Sequence, residues 1–292
     1  MIFPVIYYLF VLPISRLPFR ALYFCSDVFF FIVYYLTPYR KKVVMENLKR
    51  SFPDKSPEEI KSIAKKFYRH FCDITLESFK MFSISKEELA ERFTCTDKTI
   101  LDKFYHEGRG CIGAGGHYNN WEFLAVAGKL FVLQECSAIY KPLANAWFDN
   151  VMKKSRTQLG LQMWPIKKTK EMFEAKRNEP AAYFFAMDQS PSKAKRCHWM
   201  TFLNQETGVA FGTEKYARDY NLPVVYFRIT KIKRGYYSAA FELVTDEPNK
   251  LAHGEIVERL MKILEKDIIQ QPEYWLWTHR RWKRKRPVDA VI

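Results

Sequence analysis

Beyond residue 90 the sequence alternates between short apolar runs and longer stretches with helical spacing. The apolar runs have the length of buried strands and lie at 110–114, 136–140, 181–186 and 223–229. The helical stretches lie between them, at 121–130, 147–159, 168–177 and 213–219. Such an alternation predicts an α/β fold with a mixed, largely parallel sheet flanked by helices. In sheets of this kind, ligands bind beyond the carboxyl ends of the strands.

The first thirty-six residues are mostly apolar and aromatic, and their only charged side chains are Arg16, Arg20 and Asp27. The stretch 17–36 is just long enough to cross a bilayer if Arg20 snorkels, since a span needs about 20 residues. No basic residue precedes the apolar run and no small-residue cleavage site follows it, which argues against a signal peptide. We therefore expect residues 1–38 to form a membrane anchor that either spans the bilayer or lies in its interface.

Residues 39–90 have a helical pattern and are expected to form a scaffold between the anchor and the core. A break is predicted at 51–53, which reads Ser-Phe-Pro. A new helix is expected after Ser56, which caps it, with Pro57 at the first helical position and acidic residues following. The remaining residues, 91–292, are assigned to the α/β core and its basic, aromatic C-terminal segment.

The balance of charge is strongly positive. The chain has 47 Lys and Arg against 32 Asp and Glu, a formal charge of +15 at pH 7, which favours an anionic partner such as nucleic acid, lipid headgroups or an acidic carrier protein. A basic cluster at 40–42, directly after the apolar segment, suits a cytoplasmic membrane surface. The six cysteines are scattered with no CxxC pair, so we expect a reducing location and no zinc ribbon or disulfide framework.

A glycine-rich turn after the first predicted strand carries a histidine and a glutamate. The stretch 113–123 reads GAGGHYNNWEF and places His117 five positions before Glu122. On one continuous helix these side chains would point about 140° apart, so they meet only if His117 lies in the turn and Glu122 in the first helical turn. Glu122 would then accept a hydrogen bond from one imidazole nitrogen, and the other nitrogen could take a proton from a hydroxyl.

The sequence offers no enzyme nucleophile to accompany this motif. It contains no GxSxG elbow, and no Ser or Cys lies in a comparable turn, so we expect the acceptor substrate's own hydroxyl to attack. Direct transfer from a thioester to an alcohol follows. For such a motif taken alone, a metal site or a structural core histidine is the alternative interpretation.

The motif resembles the His-x4-acid motif of the glycerolipid and lipid A acyltransferases, and most closely that of the bacterial lipid A biosynthesis (late lauroyl/myristoyl) acyltransferase family. Further blocks similar to those of this family follow in order: IYKPLAN at 139–145, AMDQSP at 186–191, the stretch 202–225, and PEYWLWTHRRWK at 272–283. The stretch 39–53 upstream also fits. The resemblance therefore covers nearly the whole chain.

This resemblance implies an O-acyltransferase at the cytoplasmic face of a Gram-negative inner membrane, with His117 as general base and Glu122 as its partner. It implies acyl carrier protein or coenzyme A as the carrier of the acyl thioester and a hydroxyl of a lipid A precursor as acceptor. No cofactor and no metal are expected. Because the carrier protein and a bis-phosphorylated glycolipid are both acidic, either accounts for the positive charge without nucleic acid.

The same blocks supply the candidate substrate-binding residues. They are Asn119, Asn120, Tyr140, Lys141, Asn145, Asp188, Gln189 and Arg280. Asp188 and Gln189 end a strand, at the edge where ligands bind, although a capping role is the alternative. Arg280 belongs to a basic run with interleaved tryptophans, which favours an interfacial patch beside anionic headgroups. These tryptophans are Trp275, Trp277 and Trp282.

Two departures from the family pattern leave alternatives open. Lys141 stands where the family commonly has Arg. The lysine keeps the positive charge, but it cannot bind a phosphate or carboxylate through two parallel hydrogen bonds as a guanidinium does. The acceptor could therefore be a lysophospholipid, an aminolipid or a glycosylated phosphoinositide. Asn119 stands where Gly is common, and we favour tolerance of a left-handed turn over a role beside the oxyanion. A non-catalytic basic protein is a third interpretation, against which the apolar N-terminus and the lack of a recognisable nucleic-acid module argue.

Overall fold

Six helices precede the sheet in the computed structural model, which describes residues 2–194 and 197–287. They are α1 (Ile2–Ile6), α2 (Leu12–Arg16), α3 (Phe19–Phe31), α4 (Lys41–Ser51), α5 (Pro57–Lys80) and α6 (Lys86–Arg92), with π-helical turns at Tyr7–Val11 and Ile32–Leu36. This part of the chain includes the apolar stretch and the scaffold that the sequence predicts.

The start of α5 is fixed by a capping box. The Ser56 hydroxyl accepts the Glu59 N–H at 3.2 Å, and the Glu59 carboxylate accepts the Ser56 N–H at 2.7 Å. Pro57 occupies the first turn, where a missing N–H costs nothing. The predicted break after α4 and the predicted start of α5 are confirmed.

Helix α3 packs antiparallel along α5 through polar as well as apolar contacts. Near the start of α3, the Tyr23 hydroxyl donates to Glu77 at 2.8 Å, and one turn later the Ser26 hydroxyl donates to Asp73 at 2.8 Å. Near its end, the Arg69 guanidinium lies 4.9 Å from the ring centre of Phe30. One face of α3 is therefore bound to the protein along its whole length.

The opposite face of the same segment is apolar and exposed. Phe19–Leu36 is long and apolar enough to cross a membrane by length and composition, and 33% of it is buried against the rest of the protein. The large apolar side chains on its outer face are Phe24, Val28, Phe31, Ile32, Tyr35 and Leu36. The N-terminal turns also expose large apolar side chains, namely Phe3, Val5, Ile6, Tyr8, Leu9 and Phe10.

The core is a seven-stranded sheet in the order β1-β9-β8-β2-β5-β3-β4, with a separate hairpin of β6 and β7. The strands are β1 (Phe93–Asp97), β2 (Cys111–Gly115), β3 (Glu135–Tyr140), β4 (Gln162–Pro165), β5 (Ala181–Ala186), β6 (Cys197–Phe202), β7 (Gln205–Ala210), β8 (Val224–Lys233) and β9 (Tyr236–Thr245). Strands β8, β2, β5, β3 and β4 run parallel, whereas β9 is antiparallel to β8 and β1 is parallel to β9. This confirms the predicted mixed, largely parallel sheet.

Helices cover both faces of the sheet. They are α7 (Thr99–His106), α8 (Trp121–Phe131), α9 (Ala146–Thr157), α10 (Thr169–Ala175), α11 (Gly212–Asp219) and α12 (Glu255–Gln270). One apolar layer joins α5, α12 and the tryptophans near residue 275, and the other joins α6, α7 and α8. The turns after β2, β3 and β5 emerge together at the carboxyl edge between these layers.

Candidate active site

The register of two neighbouring strands brings a histidine and an aspartate together. Strands β2 and β5 are parallel, with Gly115 opposite Ala186. Two residues further along each strand, beyond the carboxyl edge, lie His117 and Asp188. A Cβ at the intervening Gly116 would lie 2.8 Å from the terminal methyl groups of Leu264 and 3.3 Å from the Asp188 carboxylate, so a side chain there would have to displace Leu264.

Asp188 binds His117 through both of its oxygens. Its Oδ1 lies 2.7 Å from the imidazole Nδ1, and its Oδ2 accepts the backbone N–H of His117 at 2.9 Å. The Trp275 indole N–H also donates to Oδ2, at 2.8 Å. Asp188 is buried, so these three donors satisfy a carboxylate that is cut off from water.

The ionisation of the pair follows from this geometry. Burial opposes the charge on Asp188, but the adjacent imidazole, the two hydrogen bonds from His117 and that from Trp275 lower its pKa to about 2. Burial likewise opposes protonation of His117, but the Asp188 carboxylate raises the pKa of the ring above its ordinary value. With Nδ1–H donated to Asp188, the Nε2 of neutral His117 remains a proton acceptor.

The Nε2 atom faces the accessible side of the site. It lies 3.2 Å from the amide nitrogen of Gln189, an exposed side chain. The His117 side chain itself keeps 17% of its surface exposed, and the Trp121 ring packs edge-on against it with centroids 5.1 Å apart. A hydroxyl could therefore reach Nε2 by displacing the exposed amide of Gln189.

The predicted contact between His117 and Glu122 is wrong. Within the described residues, Glu122 binds Arg156 of α9 in a fork, with Nε at 2.8 Å and Nη2 at 2.6 Å from its two oxygens. Glu122 lies on the first turn of α8, as predicted, but its carboxylate points to α9, whereas the sheet register delivers Asp188 to Nδ1. The His117 partner is therefore Asp188, for which the sequence favoured substrate binding or capping.

The Glu122–Arg156 pair nevertheless lies beside His117 and contributes to its electrostatics. The negative charge of Glu122 raises the pKa of His117, and the positive charge of Arg156 lowers it. On its other side, Arg156 is close to the Asp149 carboxylate, whose negative charge raises the pKa of the guanidinium, and to the neutral Tyr140 hydroxyl. A line of charged groups thus runs from His117 to the end of β3.

The side chains of Asn119 and Asn120 form hydrogen bonds with other groups of the protein. Asn119 has the left-handed φ of 55°, and its amide nitrogen donates to the Ile229 carbonyl at 2.7 Å. Asn120 caps α8, since its Oδ1 accepts the Phe123 N–H at 2.9 Å. Both side chains are buried. Their contacts support structural roles and do not support the predicted substrate contacts.

The candidate acceptor residues after β3 lie at the same edge of the sheet as His117. The Tyr140 hydroxyl donates to Asp149 at 3.2 Å, and the Asn145 side chain caps α9 by accepting the Phe148 N–H at 2.9 Å. Asn145 is therefore occupied by a local role, whereas Lys141 is exposed. Arg280 is also exposed. The two cations are available to a ligand that approaches this edge.

The tryptophans of the C-terminal segment are not an interfacial patch. Trp275 is 2% exposed and Trp277 is fully buried, so both belong to the core, and Trp282 is partly buried against it. The segment instead completes the site: Trp275 binds Asp188, and the His279 ring accepts the Ser190 N–H at 2.9 Å. Burial lowers the pKa of His279 to about 4, which keeps it neutral as an acceptor.

A cavity of about 470 Å³ lies at the other edge of the sheet, at the amino ends of β2, β5 and β8. Its walls include Arg109, Lys176 and Tyr220. The cations in these walls are already paired, Arg109 with Asp246, Lys176 with Glu179 and Arg177 with Glu174. Because it lies at the amino edge of the sheet and His117 at the carboxyl edge, the cavity is separate from the candidate active site.

Comparisons with known proteins indicate the family of the chain. Residues 2–284 match the family model described as bacterial lipid A biosynthesis acyltransferase. The chain is 23% identical over 252 residues, 85% of its length, to a lipid A biosynthesis palmitoleoyltransferase from Escherichia coli (strain K12), of which 80% is covered. The identity and coverage are the same for a lipid A biosynthesis acyltransferase from Shigella flexneri. The predicted family and enzyme class are confirmed, and the chain belongs to the bacterial lipid A biosynthesis acyltransferase family.

Proposed function

We propose that the protein transfers a fatty acyl chain from a thioester to a hydroxyl of a lipid A precursor, with His117 as general base and Asp188 as its partner. The observation that carries the proposal is the 2.7 Å contact between Nδ1 and Oδ1. It sets the tautomer of His117 and directs a basic Nε2 to the accessible side of the site.

The reaction needs no covalent enzyme intermediate. His117 Nε2 takes the proton of the acceptor hydroxyl as its oxygen attacks the thioester carbonyl, so that an O–C bond forms. The tetrahedral intermediate then collapses, the C–S bond breaks, and the protonated imidazole returns its proton to the leaving thiolate. Asp188 stabilises the imidazolium between these two steps.

The charge of the protein supports anionic substrates. Acyl carrier protein, coenzyme A and a phosphorylated lipid are all anionic, and the formal charge of +15 would attract each of them. The exposed cations Lys141 and Arg280 lie near the site and are assigned to the acceptor phosphates. A single ammonium at Lys141 also suits a lysophospholipid, aminolipid or glycosylated phosphoinositide headgroup.

The N-terminal helices seat the protein in the membrane interface rather than across the bilayer. Asp27 of α3 pairs with Arg234 at 2.8 Å, and Arg234 also binds Asp73 of α5. A spanning α3 would have to break these pairs or carry them into hydrocarbon, at about 2.5 kcal/mol or more for each charge. Lying in the interface satisfies both faces of the helix, since its outer side chains enter lipid and its inner side stays on α5.

Location at the cytoplasmic face of the inner membrane accords with two further observations. All six cysteines are free, as a reducing compartment requires. The exposed Arg40 and Lys42 flank the apolar face and would bind anionic headgroups of the cytoplasmic leaflet.

The proposal is tested by an in vitro assay of the full-length protein with a radiolabelled lipid A precursor and, in a parallel reaction, a radiolabelled lysophospholipid. A ladder of acyl lengths is offered on acyl carrier protein and, separately, on coenzyme A. We expect labelled ester product with the wild type, at least about 10²-fold less with His117→Ala, and full activity with His106→Ala, which changes an exposed histidine far from the site. If His117→Ala turned over as fast as the wild type, His117 would not be the general base. Transfer to a lysophospholipid but not to the lipid A precursor would select the other acceptor class.

A further inference from the structure

A carboxylate that the reaction does not use is buried between the N-terminal helices and the candidate active site. Glu77 lies on α5 and is fully buried. Its Oε1 accepts the Tyr23 hydroxyl at 2.8 Å, and its Oε2 accepts both the Asn120 amide at 2.6 Å and the Tyr237 hydroxyl at 2.8 Å. The three donors come from α3, from the turn that follows His117, and from β9.

The contact with Asn120 has a defined direction. Because Asn120 Oδ1 accepts the Phe123 N–H at 2.9 Å, its amide nitrogen must face Glu77. Glu77 therefore fixes the orientation of the side chain that caps α8. A carboxylate suits this position because it only accepts hydrogen bonds, and each of its three hydrogen-bond partners is a donor.

This contact holds one end of the turn that carries His117. At the start of the turn, Asp188 binds the His117 backbone and ring. At its end, three residues later, Asn120 is held by Glu77, and between them the Asn119 N–H donates to the Tyr274 carbonyl at 3.0 Å. The position of the imidazole therefore depends on both carboxylates, of which only Asp188 touches it.

We propose that Glu77 is a positioning residue for acyl transfer, and that through Tyr23 it makes the geometry at His117 depend on the seating of α3. This inference rests on the proposed function. It connects α3, the apolar helix assigned to the membrane interface, with His117, the group that accepts the proton.

The first test replaces Glu77 by a residue of nearly the same shape. Glu77→Gln leaves one acceptor oxygen for three donors and turns an amide N–H₂ towards one of them. We expect kcat to fall about tenfold with KM changed less than twofold, since small displacements of a catalytic group act on the reaction step. The pH at which activity is half-maximal should not move, because the Asp188 contact remains.

A second substitution should restore the hydrogen bond with its polarity reversed. In Glu77→Gln/Asn120→Asp, the new amide at position 77 donates to the new carboxylate at position 120, whose other oxygen still caps α8. We expect kcat to recover to within about threefold of wild type. Thermal unfolding and the folded fraction are measured for each variant, and kcat is expressed per folded molecule.

The link to α3 is tested by two matched hydroxyl deletions on one helix. Tyr23→Phe removes a hydrogen bond to Glu77, and Ser26→Ala removes an equally short one to Asp73, which does not touch the turn. On lipid vesicles we expect Tyr23→Phe to lower kcat about threefold and Ser26→Ala to leave it unchanged.

The outcomes separate this inference from the proposed function. If the wild type transfers no acyl chain, the proposed function fails before Glu77 is tested. If the wild type is active, unchanged kcat per folded molecule in Glu77→Gln overturns the positioning role, as does a folded double variant without recovery. Equal losses in Tyr23→Phe and Ser26→Ala would overturn the link through Tyr23.

Discussion

Trp275 donates its indole N–H to the Oδ2 atom of Asp188, the same oxygen that accepts the backbone N–H of His117. A side chain from the C-terminal segment thereby fixes the carboxylate that holds the candidate base. Because Oδ2 is satisfied by two donors, Oδ1 is left for the imidazole alone, and the carboxylate cannot rotate without losing a hydrogen bond.

Trp275→Phe should loosen this carboxylate without removing its charge. We expect the free energy of unfolding to fall by about 1–3 kcal/mol, since a buried acceptor loses a donor and the smaller ring leaves a gap. We also expect kcat to fall severalfold. Chemical denaturation and steady-state kinetics measure the two effects, and unchanged kcat in a destabilised variant would show that Asp188 holds its position without the indole.

The pH dependence of activity should report the raised pKa of His117. The base acts in its neutral form, so kcat/KM is expected to rise with pH through an inflection above 6.5 and then level off. Asp188→Asn removes the charge that raises this pKa, so the inflection should move to lower pH. The plateau should fall by about 10²-fold or more, because the amide does not enforce the tautomer. A profile that keeps its inflection in Asp188→Asn would contradict the pairing.

Glu122→Gln provides the contrasting case. Loss of the fork to Arg156 should lower the free energy of unfolding by about 1.5–3 kcal/mol, as measured by denaturant titration. It should shift the pH inflection far less than Asp188→Asn does, because Glu122 acts on His117 only through space. If Glu122→Gln shifted the inflection as much as Asp188→Asn does, Glu122 would be the carboxylate partner of His117, as the sequence suggested.

Lys141→Ala should weaken acceptor binding and leave the donor unaffected. One ammonium near a phosphate contributes on the order of 1 kcal/mol, so the KM for a lipid A precursor should rise about fivefold and the rise should shrink at high salt. Lys153→Ala is the control, since Lys153 is exposed on α9 further along the chain. Equal effects of the two substitutions would indicate only general attraction to the membrane.

The outer face of α3 should control membrane binding. Phe24 is 72% exposed, and Phe24→Asp is expected to reduce binding to anionic vesicles about tenfold, since burying a Phe side chain contributes about 1.5–3 kcal/mol. Leu133→Asp, a change at a 43% exposed residue outside this face, should have no such effect. A reporter fused to the N-terminus should stay on the same side of the membrane as the core. Its translocation would show that α3 spans.

The sequence predicted those features of the fold that depend on local patterns. Strands β2, β3, β5 and β8 were found because they are continuous apolar runs, and the start of α5 because its cap is local. The antiparallel strand β9 and the hairpin β6–β7 were missed although each pairs with its neighbour in the sequence, because polar residues interrupt their apolar runs. The edge strand β4 is only four residues long.

The sequence predicted that His117 and Asp188 lie at the carboxyl edge of the sheet, but it did not predict that they bind each other. His117 and Asp188 were both assigned to the carboxyl edge, yet 71 residues separate them and only the sheet order makes them neighbours. The spacing of His117 and Glu122 suggested a local pair instead. No local signal indicated Arg156, which meets Glu122 only through the packing of α9 on α8. In the sequence, Glu77 has no signal that distinguishes it from other acidic residues of a scaffold helix.

Asn47 of α4 donates both of its amide hydrogens to the C-terminal segment, to the Trp277 and His279 carbonyls at 3.0 Å each, across 230 and 232 residues of sequence. Contacts of such sequence separation form late, because the entropy of closing a loop that long must be overcome first. We therefore expect the C-terminal segment, which carries the Trp275 clamp on Asp188, to dock late in folding. A newly made chain with its sheet already formed would remain catalytically silent until its first and last segments had met.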